Sequence, residues 1–389
     1  MSATEAMRPY LDKIQTRGLL AGIVGLIACG VGFMVDHDQF WRSYLLGYVY
    51  WFCLAVGSLG LLMLHHMVGG QWGVAIRRGL EAGTRTIPLM FVLLLPMLFL
   101  GSHSLYEWTH AEVVAKDPVL QHKSVYLNLP GVIARAVVYF AIWILLATLL
   151  NKYSQEQETA GYWAVRPKLQ KVSAPGIVLY GLAVTFAVVD WVMSLEPHWF
   201  STVYGAMFLV GQGLVTFAFM IVLMRHLTDQ EPLKDQDKVN NFHDLGTLMF
   251  AFTMLWAYIS FSQFLIIWSA NLPEEITWYI RRLNGGWGYM AAALLIFHFI
   301  VPFLLLLQRR VKRKKAWVGM VAAWMLVMRL VDLAWVILPA FSHSEGQMPQ
   351  PHLNLHWLNL AAPVAIGGIW IWYFMMQLKK RSLEPLQVS

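Results

Sequence analysis

Ten separate apolar runs, each comparable in length to a bilayer crossing, constrain the fold of this chain more than any other feature. The hydrocarbon core of a bilayer is about 30 Å thick and needs roughly 20 apolar residues per helix. We therefore predict an all-α polytopic membrane protein that forms a single integral membrane domain over residues 1–389. The predicted spans cover residues 18–35, 43–66, 87–101, 131–150, 174–193, 202–225, 246–268, 286–307, 316–338 and 357–377.

The composition excludes the common soluble classes. Hydrophobic residues make up 58% of the chain and charged residues only 13%, about half the share in globular proteins. A disordered chain, a coiled coil and an ordinary soluble enzyme are therefore excluded. The net charge of +7 is better explained by basic loops than by nucleic-acid binding, so we expect no nucleic-acid partner.

Lysines and arginines outside the spans are concentrated on one side of the predicted membrane domain. That side carries 22 of them and the other side 5. Because cytoplasmic loops are enriched in these residues, the asymmetry predicts that both termini are cytoplasmic. The cytoplasmic terminal segments would then be residues 1–17 and 378–389, and the even number of spans agrees with this orientation.

The sequence offers little to hold a redox centre. Its two cysteines, Cys29 and Cys53, lie inside apolar runs, and no haem-attachment motif is present. Two histidines would have to face each other at matched depth to ligate haem b. His65 and His66 lie at the end of the second span, whereas His298 lies deep in the eighth. We predict no cofactor and no metal on this chain, and we expect His298 to be a hydrogen-bonded interior residue.

Polar residues near the end of the fifth span are the first candidates for chemistry. Asp190 and Ser194 are four residues apart and would share a helix face, and Glu196 follows them. Charged groups inside a bilayer need a partner or water. The functional interpretation is a proton path or a quinol pocket. The alternative is a carboxylate that is satisfied at a helix end.

Two further positions lie within apolar spans. Arg329 and Asp332 are three residues apart in the ninth span, so we predict an ion pair on one helix face. It would act either as a proton relay or anion site, or as a structural latch between helices. Tyr258 lies in the seventh span, where its hydroxyl could join a hydrogen-bonded chain or hold helices together.

Four segments carry a resemblance to a known family: YVYWFCLAVGSLGLLMLHHMVGGQWG, RTIPLMFVLLLPM, DWVMSLEPHWFSTVYG and FSQFLIIWSANLPEE. They resemble the F subunits (ActF) of bacterial alternative complex III, a quinol:cytochrome c oxidoreductase. This family is similar to the NrfD-like membrane subunits of polysulfide-reductase type. The resemblance implies two four-helix bundles, here residues 43–193 and 202–338, with the first and last spans peripheral. It also implies a location in the bacterial inner (plasma) membrane.

The resemblance further implies a cofactor-free subunit without catalytic residues of its own, which supports assembly and conducts protons during quinol:cytochrome c electron transfer. Expected partners are an NrfD-like paralogue, an iron–sulfur protein, a multihaem cytochrome c and lipids. Haem c and iron–sulfur clusters would lie on those partners, and quinone binding to this chain stays open. Two alternatives are a stand-alone proton-coupled secondary transporter and a purely structural membrane anchor. The proton-path candidates carried over are Asp190, Ser194, Glu196, Tyr258, Arg329 and Asp332.

Overall fold

The structure is a computed structural model in which every described secondary-structure element is a helix. The predicted all-α fold class is therefore confirmed. The first two residues of the predicted N-terminal segment and the last six of the predicted tail lie outside the described residues. The structure describes residues 3–231, 233–236, 238–342, 353 and 355–383.

Ten helical segments in the described part of the chain are long and apolar enough to cross a membrane. Each coincides with one predicted apolar run, so the chain is a polytopic membrane protein. We number the segments as spans 1 to 10 in chain order. They cover Glu5–Val35, His37–Val68, Gln71–Leu105, Leu129–Ala160, Tyr162–Leu195, Tyr204–Thr228, Val239–Ala270, Gly286–Leu307, Lys315–Phe341 and Leu358–Leu378.

Several spans are longer than their apolar runs. Spans 2 and 4 each contain 32 residues, or about 48 Å at 1.5 Å per residue, whereas the bilayer core is about 30 Å thick. The helices continue past the first charges because backbone hydrogen bonding does not stop where hydropathy falls. Arg77 and Arg78, which hydropathy assigns to a loop, are therefore helical residues of span 3. We call the end of the molecule that carries them the basic end.

The spans pack in two groups of four. Spans 2, 3 and 4 contact one another and span 5 packs on spans 2 and 4, whereas spans 7 and 9 pack on span 6 and span 8 packs on spans 7 and 9. Between the groups, span 6 contacts spans 2, 3 and 5, span 2 contacts span 9, and span 3 contacts span 7. Spans 1 and 10 pair with each other and lie against span 2. In spans 2 and 6, 89% and 78% of the most apolar window is buried, against 17% and 22% in spans 7 and 8. Spans 2 and 6 therefore form the centre, and spans 7 and 8 lie at the surface.

Two spans widen into π turns close to prolines. In span 3, the π turn Met97–Gly101 begins directly after Pro96. In span 8, the π turn Leu294–Ile300 ends two residues before Pro302. In span 8 the π turn lies before the proline, which has no backbone N–H and whose ring clashes with the carbonyl four residues earlier, so the regular helix is loosened there. In span 8 that earlier residue is His298, which lies in the polar region described next.

Candidate functional site

The predicted ion pair in span 9 is present and buried. Arg329 donates to the carboxylate of Asp332, and their exposed fractions are 3% and 4%. Trp256 of span 7 donates its indole N–H to Oδ2 of Asp332 at 3.2 Å. The pair thus connects two spans, and its carboxylate has partners from both.

Arg329 fits into the helix interface because Gly211 of span 6 has no side chain. A Cβ at Gly211 would lie 2.3 Å from Cζ of Arg329, which is far too close for two carbon atoms. The guanidinium also lies 5.8 Å from the ring centre of Phe208, one turn earlier on span 6. Nε of Arg329 is buried and has no hydrogen-bond partner among the described residues.

His298 is fully buried beside this pair. Its ring is perpendicular to that of Trp256, with 4.3 Å between the ring centres, and the charges of Asp332 and Arg329 both act on it. Neither ring nitrogen has a hydrogen-bond partner in the described part of the chain. The predicted interior position is confirmed, but the predicted hydrogen bond is absent there, because Trp256 gives its N–H to Asp332 instead.

Glu196 lies between two arginines of the amphipathic helix Pro273–Leu283. Its Oε1 accepts from Nη1 of Arg281 at 3.0 Å, and its Oε2 accepts from Nη2 of Arg282 at 2.7 Å. The two arginines differ in burial, since 26% of the Arg281 side chain is exposed and only 1% of Arg282. The buried carboxylate is therefore held mainly by a buried arginine.

Arg282 also reaches into span 9. Its Nη2 donates to the carbonyl oxygen of Val336 at 2.6 Å, and its Nη1 donates to that of Trp278 at 3.1 Å. Cζ of Arg282 lies 3.8 Å from the ring centre of Trp278, a cation–π contact. These contacts fix the guanidinium at the end of the molecule opposite the basic end.

The two ionic pairs lie close together along span 9. Val336, which accepts from Arg282, follows Asp332 by four residues, or about 6 Å along the helix axis. Tyr204 of span 6 experiences the charges of both pairs, Glu196 with Arg282 and Asp332 with Arg329. The structure therefore brings Glu196, Arg329 and Asp332 into one buried region, which we call the polar column.

The polar column continues from Arg329 toward the basic end along span 6. The hydroxyl of Tyr180 donates to Oε1 of Gln212 at 2.8 Å. Gln212 and Thr216 are fully buried. Nε2 of Gln212 and Oγ1 of Thr216 have no hydrogen-bond partner within the described residues. Buried polar atoms are seldom left unpaired in proteins, so these positions are suited to binding water.

Asp190 belongs to a separate cluster between spans 4 and 5. Arg135 binds its two carboxylate oxygens at 2.9 Å each, and the hydroxyl of Tyr139 donates to Oδ2 at 2.9 Å. Ser194 donates to the backbone carbonyl of Asp190, not to its carboxylate. A bidentate guanidinium and a hydroxyl satisfy this carboxylate well, which matches the alternative of a helix-end carboxylate with fixed partners.

Tyr126, in the segment before span 4, completes the Asp190 cluster. Cζ of Arg135 lies 3.8 Å from its ring centre. Burial and the negative charge of Asp190 raise the pKa of Tyr126 to about 12. Its hydroxyl therefore stays protonated at physiological pH.

Tyr258 lies apart from the other candidates. Its exposed fraction is 66%, whereas Trp256, two residues earlier, is 8% exposed and faces Asp332. Two residues correspond to about 200° around a helix, so the two side chains point in nearly opposite directions. Tyr258 is on the outer surface of span 7.

A mostly apolar cleft of about 340 Å³ opens between spans 7 and 8 and reaches the polar column. Asp332 is its acidic lining residue, and aromatic and aliphatic side chains form most of the remaining wall. Among the described residues, no group of three or more His, Cys, Asp or Glu side chains is arranged to hold a metal ion. Other lining residues include Trp256, Phe261, Leu295, Phe299 and Trp335.

Comparisons with known proteins identify no family for this chain. No family model matches the sequence, and no curated protein matches it.

The arginine partners of Asp190 and Glu196 could not be identified from the sequence. Arg135 is visible in the sequence as a charge inside an apolar run, which signals a buried partner, but the sequence does not show that this partner is Asp190. The sequence assigns Arg282 to a charged loop, because the helix Pro273–Leu283 lies between two spans. The high density of charged residues in this helix gave no sign that Arg282 is buried.

Proposed function

We propose that this chain is a cofactor-free membrane subunit of a quinol-oxidising respiratory complex and that its polar column conducts protons. The observation that carries this proposal is the contact of Arg282 with both Glu196 and span 9. Arg282 binds Glu196 and also the carbonyl oxygen of Val336, which lies about one helical turn from Asp332 on span 9. The resemblance to alternative complex III supplies the redox context.

The chemistry of the column suits proton transfer. Quinol oxidation releases protons, which need a succession of carboxylates, hydroxyls and water to leave a membrane protein. In the column Asp332 is paired with Arg329, and Glu196 with Arg281 and Arg282, so protonating one carboxylate leaves the ion pair of the other intact. Tyr204, between the two pairs, offers a hydroxyl that can both donate and accept.

The proposed orientation gives this transfer a direction. The basic end, with its excess of lysine and arginine, faces the cytoplasm under the positive-inside rule. Glu196 then lies toward the opposite side of the bacterial inner membrane. Protons entering the column at Asp332 would leave through Glu196 toward the periplasm.

Electron transfer is assigned to partner subunits. The proposed partners are a multihaem cytochrome c, an iron–sulfur protein and an NrfD-like paralogue. Haem c and iron–sulfur clusters would carry electrons there, and this chain would supply membrane packing and the proton route. Under this proposal the chain has no catalytic activity alone.

Purification from intact membranes through a C-terminal tag tests the assignment. We expect mass spectrometry to find an iron–sulfur subunit and a cytochrome, and the reduced-minus-oxidised spectrum to show c-type haem. A chain that is recovered alone and colourless in mild detergent would remove the respiratory-complex proposal and direct attention to transport assays.

The proton role is tested separately within the purified complex. We expect Asp332→Asn to lower proton-coupled turnover, because the amide cannot take up a proton from the column. Tyr258→Phe is the matched control, since Tyr258 faces outward. An Asp332→Asn complex with normal assembly, turnover and membrane potential would show that the column carries no protons.

A further inference from the structure

A second cleft, of about 360 Å³, opens at the basic end beside spans 3 and 4. Three cationic side chains line it: Arg85 from span 3, Lys152 from span 4 and Arg381 from the segment after span 10. Its remaining wall is partly apolar and includes Pro88, Ile144 and Ala147. The cleft is not part of the polar column.

The limits of the predicted apolar runs give the three cations a similar expected depth in the membrane. Each is within four residues of the end of a predicted apolar run, because these runs begin at residue 87 and end at residues 150 and 377. That depth corresponds to the headgroup layer, where lysine and arginine are favoured. The apolar wall residues lie further along the same helices, toward the hydrocarbon core.

The cleft has a fixed polar framework. Nε of Arg85 donates to Oδ1 of Asn151 at 2.8 Å, and Nδ2 of Asn151 donates to Oγ1 of Thr84 at 2.9 Å. Thr84 and Asn151 are buried, with exposed fractions of 0% and 8%. Nη2 of Arg85 is buried and has no hydrogen-bond partner among the described residues. Its nearest carboxylate, that of Glu81, is 4.0 Å away.

The nearby carboxylates are each shared among several arginines. Glu81 accepts from Arg77 at 3.0 Å and from Arg78 at 2.9 Å, and Arg78 also binds Glu158 at 2.8 Å. Glu158 also accepts from Arg381 at 3.3 Å.

The cluster around the cleft is therefore positively charged. Lys152 has no carboxylate partner within the described residues. Among the described residues, two carboxylates, Glu81 and Glu158, are shared among four arginines, and Lys152 adds a further positive charge.

We propose that this cleft binds an anionic phospholipid. Its phosphate would lie among Arg85, Lys152 and Arg381, where charge-assisted hydrogen bonds favour a phosphate group. An acyl chain would follow Ile144 and Ala147 into the bilayer. This site does not depend on the proposed respiratory function, and it differs from a general attraction of lipids to basic loops because its cations converge on one cleft.

Thermal unfolding of the purified full-length protein tests the site. Micelles would be supplemented with phosphatidylglycerol, with phosphatidylcholine or with inorganic phosphate at matched ionic strength. We expect saturable stabilisation by phosphatidylglycerol only. Equal stabilisation by phosphatidylcholine would show that headgroup charge is not recognised, and equal stabilisation by inorganic phosphate would show a phosphate site without lipid specificity. Either outcome overturns the proposal.

Substitutions inside and outside the cleft test whether phosphatidylglycerol binds there. We expect Lys152→Gln to weaken the apparent affinity for phosphatidylglycerol about fivefold, the usual contribution of one basic residue near an anionic surface. Arg313→Gln is the control, because Arg313 is exposed at the basic end but does not line the cleft. Equal losses in both variants would mean that lipid is attracted by overall charge. Lys152 is exposed, so this substitution should not prevent folding.

Discussion

The guanidinium of Arg329 lies directly on the backbone of Gly211, where a Cβ would come within 2.3 Å of Cζ. The glycine therefore makes room for a buried cation at the centre of the protein. Asp332 and the ring of Phe208 surround the same guanidinium. The position of the charge thus depends on a missing side chain on another span as well as on its carboxylate partner.

Replacing Gly211 by alanine should disturb this ion pair. In Gly211→Ala the methyl group would push the guanidinium away from Asp332, and we expect a loss of about 3 kcal/mol, near the cost of breaking a buried pair. Unfolding of the purified protein in a denaturant series measures this loss. Gly181→Ala is the matched control, because a Cβ at Gly181 meets nothing within 4 Å.

The change in the free energy of unfolding in the control Gly181→Ala should not have the sign expected for Gly211→Ala. Alanine has a higher helix propensity than glycine, so we expect Gly181→Ala to be neutral or stabilising by up to about 1 kcal/mol. Equal stability of the two variants would contradict the packing of Arg329 against Gly211.

The two arginines that bind Glu196 should contribute unequally. Arg282 is buried and donates to Glu196, Trp278 and Val336. We expect Arg282→Gln to cost about 3–5 kcal/mol, because it leaves a buried carboxylate short of its partner. Arg281 is partly exposed, so we expect Arg281→Gln to cost about 1 kcal/mol or less.

Chemical unfolding of the two single variants measures this contrast. Glu196→Gln in each background then gives the coupling of each arginine to the carboxylate. A larger coupling for Arg281 than for Arg282 would show that burial does not decide which arginine holds Glu196.

Local features of the fold and site were predictable from the sequence. The ten spans follow from hydropathy, and the pairing of Arg329 with Asp332 follows from a spacing of three residues in one helix. The partners of the other carboxylates are distant in sequence, since Arg135 and Asp190 are 55 residues apart and Glu196 and Arg282 are 86 apart. Helical periodicity relates only residues of the same helix, so it could not identify these pairs.

The orientation of Tyr258 shows a second limit. In a soluble protein, polar residues mark the exposed face of a helix. Lipid is as apolar as the protein interior, so apolar residues cover both faces of a spanning helix. The hydropathy pattern of span 7 therefore did not show that Tyr258 faces outward and Trp256 faces inward.

The short helix Pro118–Lys123 should respond to acid through Asp117. Burial alone would raise the pKa of this carboxyl, but hydrogen bonds from His198 and from the amides of Val119 and Leu120 lower it overall below its ordinary value of 3.8. Its stabilising effect is therefore fully present above pH 3.8 and is lost as the pH falls through the lower pKa of the folded state.

Hydrogen exchange of the amides of Val119 and Leu120, corrected for intrinsic rates, should show this loss below pH 3.8. Asp117→Asn is the control, because asparagine also caps a helix but does not titrate. We expect its protection to be independent of pH in the same range. An identical acid response in the variant would assign the change to another group.

A double substitution separates a structural role of the Arg329–Asp332 pair from a role in proton transfer. Asp332→Leu alone leaves a buried cation unpaired, and we expect a loss of about 3–5 kcal/mol. Arg329→Met combined with Asp332→Leu removes both charges, and replacing a buried pair by apolar residues is often neutral or stabilising. We therefore expect the double variant to unfold near the wild-type denaturant concentration. If the pair were only a latch, a stable double variant in the proposed respiratory complex would keep full turnover and membrane potential. We expect it instead to assemble normally and lose proton-coupled turnover, because packing is restored while the titratable carboxylate is gone.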